Sequence, residues 1–241
     1  PDGLVASGFV SNNSIVNKIW QKHNKRFFSN AVNIFTTTHE MAGTLSAYID
    51  IKRINVVPLW SLFNSEHKVD IGSNNFIRTN NLQNYFIVLY SGNIGLGHNV
   101  TSLVEIANVL KKEKDIKFVI IGEGWNKKSV ETLIQDYKLD NCLVLPFQPT
   151  KIFLHALSAA DIAVVSVASE ISKVCAPSKT YNLINFGIPI LAIAEPSSGL
   201  AHLINDNRIG GAFKYNQTNE AARFIQFVKA NKEQMEVFKR N

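Results

Sequence analysis

The chain is poor in cysteine, with only Cys142 and Cys175 among its 241 residues. Two cysteines exclude a disulfide scaffold and a cysteine-rich metal site, and they suit free thiols in a reducing compartment. Long hydrophobic runs are lacking too, since no apolar stretch approaches the roughly 20 residues that cross a bilayer. The chain begins at Pro1 rather than at a methionine, in what reads as the middle of a structure. We therefore expect a fragment of a longer protein.

The residue patterns of metal sites and of common nucleophiles are also absent. The six histidines show no His-x-x-x-His spacing, and no acidic cluster suits a hard cation. The sequence contains no Gly-x-Ser-x-Gly motif and no cysteine–histidine pair close in sequence. We predict no bound metal and no cofactor, and no residue of the chain stands out as catalytic.

The composition is that of an ordinary globular protein with an excess of positive charge. Apolar residues make up 46% of the chain and charged residues 18%, which excludes the disordered and fibrous classes. Lys and Arg number 25 against 19 Asp and Glu, so the net charge is +6. A basic balance predicts an anionic partner, which can be a phosphate compound, an acidic lipid or a nucleic acid.

Strand-like and helical patterns alternate along the chain, and one stretch without such a pattern divides it into three parts. Residues 61–84 are rich in Asn and Ser and lack periodicity, so we interpret them as a linker between residues 1–60 and residues 85–241. Strand-like runs in the last part, such as Phe-Ile-Val-Leu-Tyr, are apolar throughout, which is typical of parallel strands buried on both faces. The pattern predicts an α/β fold with a doubly wound, Rossmann-like parallel sheet.

Turns rich in glycine or proline follow the first three strands of this predicted sheet, at the edge where such folds bind ligands. The candidate residues are Gly92, Asn93 and Gly95 in the first turn, Gly122, Glu123 and Gly124 in the second, and Phe147 and Gln148 in the third. Glycines let a ligand approach the backbone, and a helix that follows offers free N–H groups to an anion. Plain tight turns explain the same residues, and the glycine spacing is wrong for a dinucleotide fingerprint.

The segment Pro177–Asn182 combines several groups that bind phosphate. We predict a helix over Pro177–Phe186, whose N-terminus carries partial positive charge. Ser178 and Thr180 add hydroxyl groups and Lys179 adds a cation, so the segment predicts a diphosphate site. An ordinary capped helix with a solvated lysine is the alternative.

Several short segments occur in the order in which one enzyme family carries them. They are Tyr90–Gly95, Ile120–Gly124, Leu145–Pro149, Leu157–Ala163, Pro177–Asn182 and Asn185–Ile190. Together they resemble the C-terminal half of a GT-B glycosyltransferase of family 4 (glycosyl transferases group 1). The Pro-Ser-Lys run and the first eight residues resemble the bacterial branch that builds surface polysaccharides.

The resemblance implies transfer of a hexosyl or N-acetylhexosaminyl group from a nucleotide diphosphate sugar, with retention of configuration and without a metal. A UDP-linked donor, a lipid-linked or growing glycan acceptor and no nucleic acid are the partners it implies. It also implies a cytoplasmic protein with peripheral contact to an anionic membrane at its inner face. Residues 1–60 would end the N-terminal acceptor domain and residues 85–241 would form the donor domain. The catalytic residues would precede Pro1, which would leave the fragment inactive alone.

Roles for the candidate residues follow from the same resemblance. The Gly92–Gly95 turn and the Ser178–Thr180 segment would face the diphosphate. Gly122–Gly124 and the Phe147–Gln148 pair would flank the nucleoside.

One position departs from the family pattern of two glutamates separated by seven residues. Asn182 stands where the second glutamate binds the ribose hydroxyls, and Val174 stands at the first. An amide can bond a ribose, but without charge assistance. A non-catalytic nucleotide-sugar-binding module is therefore one alternative. A nucleotide-sugar 2-epimerase, which shares the two-domain GT-B layout, is the other, but the donor half shows no cluster of acidic residues for proton abstraction. An NAD-dependent dehydrogenase is disfavoured by the glycine spacing.

Overall fold

A computed structural model describes residues 2–61, 63 and 65–240, with the backbone alone at residues 65 and 240. Pro1, Leu62, Asn64 and Asn241 lie outside the described residues, so the predicted parts 1–60, 61–84 and 85–241 are each described except at these positions.

The described residues contain helices and strands in regular alternation. The helices are α1 (Asp2–Ala6), α2 (Ile15–Asn30), α3 (His39–Leu45), α4 (Asn75–Thr79), α5 (Thr101–Val109), α6 (Lys127–Asp136), α7 (Thr150–Ala159), α8 (Lys179–Asn185), α9 (Gly199–Asp206), α10 (Thr218–Ala230) and α11 (Lys232–Arg240). The strands are β1 (Ile34–Thr36), β2 (Ile54–Val56), β3 (Phe86–Ser91), β4 (Ile116–Ile121), β5 (Cys142–Leu145), β6 (Ile162–Ser166), β7 (Ile190–Ile193) and β8 (Gly210–Phe213). Short 3-10 turns lie at Ile51–Arg53, Ser65–His67, Ile71–Ser73 and Ser169–Ile171.

The larger sheet has six strands in the order β5-β4-β3-β6-β7-β8, and all neighbouring strands are parallel. This order reverses direction between β3 and β6, so the sheet is doubly wound and its ligand-binding crevice is expected beyond the carboxyl ends of these two strands. The predicted fold class is confirmed.

Both faces of this sheet are covered, which explains the continuous apolar strands. Leu89 packs in one core with residues of α4, α7, α8 and α9, whereas Val88 and Tyr90 pack in a second core with residues of α5, α6 and α10. Successive side chains of a strand point to opposite faces. A strand buried on both faces therefore needs an apolar residue at every position.

The first 60 residues form a smaller unit around a two-stranded parallel sheet. Ile34 of β1 pairs with Ile54 of β2, and α3 packs beside both strands. Ser14 caps α2 by accepting from the N–H of Asn17 at 3.1 Å, and Thr38 caps α3 by accepting from Met41 at 3.2 Å.

The stretch interpreted as a linker has more structure than its sequence predicts. It contains α4, and Phe76, Ile77 and Leu82 are buried in the core against the sheet. Asn74 caps α4 by accepting from the N–H of Phe76 at 3.0 Å, and its side-chain amide donates to the carbonyl of His155 at 2.8 Å. A five-residue helix is too short to show periodicity. The boundaries at 60 and 84 stay predictions.

Candidate functional site

The turns after β3 and β4 interlock through their backbones. The N–H of Ile94 donates to the carbonyl of Glu123 at 2.8 Å, and the N–H of Asn126 donates back to the carbonyl of Ile94 at 2.9 Å. A Cβ atom on Gly122 would overlap the carbonyl oxygen of Gly92. The two predicted glycine turns therefore form one rigid surface at the carboxyl edge of the sheet.

The side chain of Asn93 lies within this surface. A Cβ atom built on Gly124 would lie 2.5 Å from the Oδ1 atom of Asn93, and one built on Gly95 would lie 3.0 Å from its Nδ2 atom. The structure thus brings together Asn93, Gly95 and Gly124, three of the predicted site residues. Glu123 is different, because its exposed carboxylate is paired with Lys127 at 2.7 Å.

Lys179 reaches from the start of α8 to the end of β3. Its Nζ atom lies 3.9 Å from the centroid of the Tyr90 ring, and a Cβ atom on Gly92 would lie 3.1 Å from it. The residue as a whole is half-buried, but its Nζ atom is fully buried and has no hydrogen-bond partner among the described residues. Burial lowers the pKa of Lys179 from 10.5 to about 7. The sequence predicted a phosphate contact here, but a buried amine was not expected.

The other residues of the Pro177–Asn182 segment point to different places. Ser178 is exposed and makes no capping hydrogen bond, whereas Thr180 is buried and its Oγ1 atom has no partner among the described residues. The predicted start of the helix at Pro177 is wrong by two residues: α8 begins at Lys179. The N–H of Thr180 donates to the carbonyl of Pro177, which makes this first turn a tight one.

Asn182 lies on α8, one turn beyond Lys179, and contacts the chain that enters the domain. Its Oδ1 atom accepts from the hydroxyl of Ser61 at 2.8 Å, and the side-chain amide of Asn185 donates to the carbonyl of Phe63 at 3.1 Å. Asn182 and Lys179 line the same small cavity of about 20 Å³ beneath the turn. The predicted ribose ligand is therefore close to the lysine and is already hydrogen-bonded.

The third predicted turn lies farther along the edge, after β5. Phe147 is exposed, and the side chain of Gln148 donates to the carbonyl of Pro146 at 2.8 Å. The N–H of Gly122 donates to the carbonyl of Leu145 at 3.0 Å, which fixes this turn next to the β4 turn. The exposed Phe147 ring offers a flat apolar surface at the outer end of the candidate site.

His98 is a residue at this edge that the sequence analysis did not single out. Its Nδ1 atom lies 2.9 Å from the carbonyl of Ser166 at the end of β6, and burial lowers its pKa below 6.5. It lines a cavity of about 390 Å³ together with Asn99, Asn126, Glu170, Glu195 and Tyr215. These residues follow β3, β4, β6, β7 and β8. Their positions could have identified this cavity from the sequence, because ligands bind beyond the carboxyl ends of the strands in such folds.

A second cavity, of about 420 Å³, lies between the first 60 residues and the α8–α9 side of the sheet. Thr38, His39 and Glu40 line it from one side and Cys175, Thr180 and Tyr181 from the other. Glu40 lies 3.5 Å from His202 of α9 across this cavity. Thr180 therefore lines this second cavity and not the small cavity that Lys179 lines.

No group of three or more His, Cys, Asp or Glu that could hold a metal occurs among residues 2–61, 63 and 65–240. In the same part of the chain, no helix has the length and hydropathy of a membrane span.

A model of the family described as glycosyl transferases group 1 matches residues 73–241 of the chain. This match covers more than half of the chain, and the chain therefore belongs to the glycosyl transferases group 1 family. The family predicted from the motifs is confirmed at this level. The assignment to family 4 and to the polysaccharide branch stays a prediction.

Three known proteins illustrate the similarity. The probable glycosyltransferase WbjE of Pseudomonas aeruginosa is 22% identical over 229 residues, which span 93% of the chain and 56% of WbjE. The putative colanic acid biosynthesis glycosyl transferase WcaI of Escherichia coli strain K12 is 31% identical over 117 residues, which span 48% of the chain and 28% of WcaI. HepE of Anabaena, solved with UDP and glucose, superposes with a TM-score of 0.72 at 14% identity over 92% of the chain and 61% of HepE. The chain thus spans a little over half the length of WbjE.

Proposed function

We propose that the chain binds the nucleotide diphosphate of a UDP-linked sugar donor for a glycosyltransferase, with the diphosphate beside Gly92 and Lys179. The observation that carries this proposal is the amine of Lys179, which is buried at the crevice between β3 and β6 without a hydrogen-bond acceptor. A diphosphate oxygen would supply that acceptor, and bonds to a charged donor are among the stronger ones in proteins. HepE, which has a similar fold, was solved with UDP.

The nucleoside would lie along the sheet edge on the β4 and β5 side. The turn Gly122–Gly124, which packs against Gly92 and Asn93, would face the ribose with its backbone. The exposed ring of Phe147 would pack against the base, and Gln148 lies beside it. Asn182 would reach the ribose hydroxyls from α8.

The reaction we propose is transfer of a hexosyl or N-acetylhexosaminyl group with retention of configuration. Lys179 and the backbone N–H groups near Gly92 would stabilise the charge that develops on the departing diphosphate, in place of a metal. The acceptor would be a lipid-linked or growing glycan, in keeping with the name of WcaI, a putative colanic acid biosynthesis glycosyl transferase. The net charge of +6 would favour peripheral contact with an anionic membrane from the cytoplasmic side.

A non-catalytic nucleotide-sugar-binding module is the second candidate. The observation that favours it is the hydrogen bond between Asn182 and Ser61, because it engages the amide where the family carries a free carboxylate. A donor screen on the full-length protein separates the two candidates. Binding of the nucleotide sugar without its hydrolysis and without transfer of the sugar would favour the non-catalytic module.

Nucleotide selectivity gives the direct test of the proposal. Calorimetric titration of the chain with UDP, GDP and NAD should give the highest affinity for UDP. The diphosphate and the base are the parts of the donor assigned to residues of this chain. NAD binding as tightly as UDP would overturn the proposed function.

Replacing Asn182 with glutamate should tighten UDP binding. A carboxylate can still accept the hydrogen bond from Ser61, and its second oxygen would bond the ribose hydroxyls with charge assistance, worth about 1 kcal/mol. Asn182→Gln has the length of glutamate without its charge and should give no gain. Titration with 2′,3′-dideoxy-UDP should also remove the gain. Unchanged UDP affinity in a folded Asn182→Glu variant would disprove the ribose assignment.

A further inference from the structure

The amine of Lys179 occupies an apolar environment in the unliganded protein. The Lys179 side chain lines a cavity of about 20 Å³ whose other walls are mainly apolar, such as Leu89, Phe153 and Leu183, with Ser91 and Asn182 as the polar ones. The face of the Tyr90 ring covers the amine at 3.9 Å. No carboxylate of the described residues lies within 4.0 Å of it.

An ammonium ion is poorly stabilised in such a place. Contact with the face of the Tyr90 ring stabilises a buried cation by much less than the cost of burying an unpaired ammonium ion. The neutral form has no such cost, and the lowered pKa of Lys179 agrees with this balance. The resting site is therefore built to hold the lysine close to neutral.

The titratable groups around Lys179 do not supply the missing counter-charge. Cys175, in the loop before α8, has its pKa raised by burial, so the thiol is protonated at neutral pH. His98, in the turn after β3, has its pKa lowered by burial and by the charge of Lys179. Burial also raises the pKa of Tyr90, so its hydroxyl is neutral and donates to the carbonyl of Asn93 at 2.7 Å. A counter-charge must then come from a ligand.

We propose that Lys179 takes up a proton from solvent when the diphosphate of a nucleotide sugar binds beside Gly92, so that donor affinity depends on pH. This inference rests on the proposed function. The neutral amine becomes an ammonium ion, no covalent bond of the donor changes, and the new charge offsets one negative charge of the diphosphate. Above pH 7, the site would carry its full positive charge only while the donor is bound.

The direction of the pH dependence follows from the two states of the lysine. Below pH 7 the amine is already largely protonated in the free protein, so affinity should vary little. Above pH 7 the free protein must acquire the proton, so affinity should fall by about tenfold per pH unit, until the higher pKa of the bound state is reached.

The experiment is calorimetric titration of the chain with UDP-glucose between pH 6 and pH 9.5. UDP-glucose is the probe because neither of its phosphates is a terminal monoester, the kind that titrates near pH 6. Titrations in two buffers of different ionisation enthalpy give the number of protons taken up. We expect uptake close to zero at pH 6 and close to one at pH 8.

Three variants separate Lys179 from its neighbours. Lys179→Arg keeps its charge at every pH used, so its affinity should not change between pH 7 and pH 9. Lys179→Met should bind weakly, again without the alkaline fall. His98→Asn should keep the fall, because protonation of His98 would act below pH 7.

The possible results are distinct. Failure of UDP-glucose to bind at any pH would count against the proposed function itself. Tight binding without proton uptake between pH 7 and pH 9 would overturn the inference and leave the proposed function standing. An alkaline fall of the same slope in Lys179→Met would also overturn it.

Discussion

Replacing Lys179 with methionine should make the unliganded protein more stable and its complex with UDP weaker. Methionine fills a similar volume and places no charge against the ring of Tyr90. The depressed pKa of Lys179 means that its charged form destabilises the fold, and we expect methionine to recover on the order of 2 kcal/mol at pH 7. Loss of a charge-assisted bond should cost about 1.5–3 kcal/mol of UDP affinity.

The gain in stability should itself depend on pH. The unfolded chain holds the Lys179 proton up to its ordinary pKa near 10.5, whereas the folded protein releases it near 7. Wild-type stability should therefore rise relative to the variant between pH 7 and pH 10. Thermal melts with and without UDP check both parts. The control is Lys173→Met, at an exposed position in the loop before α8. It should change the free energy of unfolding by no more than about 0.5 kcal/mol. A variant that is less stable than wild type at pH 7 would contradict this account of the buried amine.

Replacing Gly122 with alanine should destabilise the protein and abolish UDP binding. The new Cβ atom would meet the carbonyl oxygen of Gly92 and lie 3.2 Å from the Cγ1 atom of Ile94. Backbone atoms on both turns would have to move, with strain on the order of 3 kcal/mol. The displaced Gly92 turn would also leave Lys179, whose Nζ atom now lies 3.1 Å from the Cβ position of Gly92.

Gly43→Ala is the matched control for this substitution. Gly43 lies in α3, and a Cβ atom there would meet nothing within 4 Å. Alanine should stabilise that helix by roughly 0.5–1 kcal/mol. Chemical denaturation measures both variants, and titration with UDP measures binding. Normal UDP affinity in Gly122→Ala would mean that the interlocked turns do not hold the donor.

The sheet was predictable from the sequence because its strands are buried on both faces. The run Phe86–Leu89 has no polar residue, and a run that is apolar at every position indicates parallel strands between helices. The strand order was not predictable from these runs, since any of them satisfies the same burial. The short helix α4 was also missed, because its core residues Phe76 and Ile77 are too few to form a period.

The site was predictable only as a set of turns. Glycines after β3 and β4 marked the edge of the sheet, but the contact between Gly122 and Gly92 depends on how the two strands pair. The hydrogen bond from Ser61 to Asn182 joins residues 121 positions apart. Burial of Lys179 against Tyr90 likewise depends on the packing of α8 on the sheet. The residues near Lys179 in the sequence do not predict that packing.

The hydrogen bonds between α8 and the entering chain determine where the molecule can bend. Ser61 and Phe63 are hydrogen-bonded to Asn182 and Asn185 of α8. We therefore expect this segment to move together with α8 and the six-stranded sheet. A rotation of the first 60 residues would have to change backbone torsion angles before Ser61. These angles lie next to Pro58, whose ring restricts φ. Such a rotation would separate Glu40 from His202 and widen the cavity between the two units, and it would also separate Thr44 from the carbonyl of Lys173 in the loop before α8. Opening of this cavity would therefore act on the loop that leads into α8.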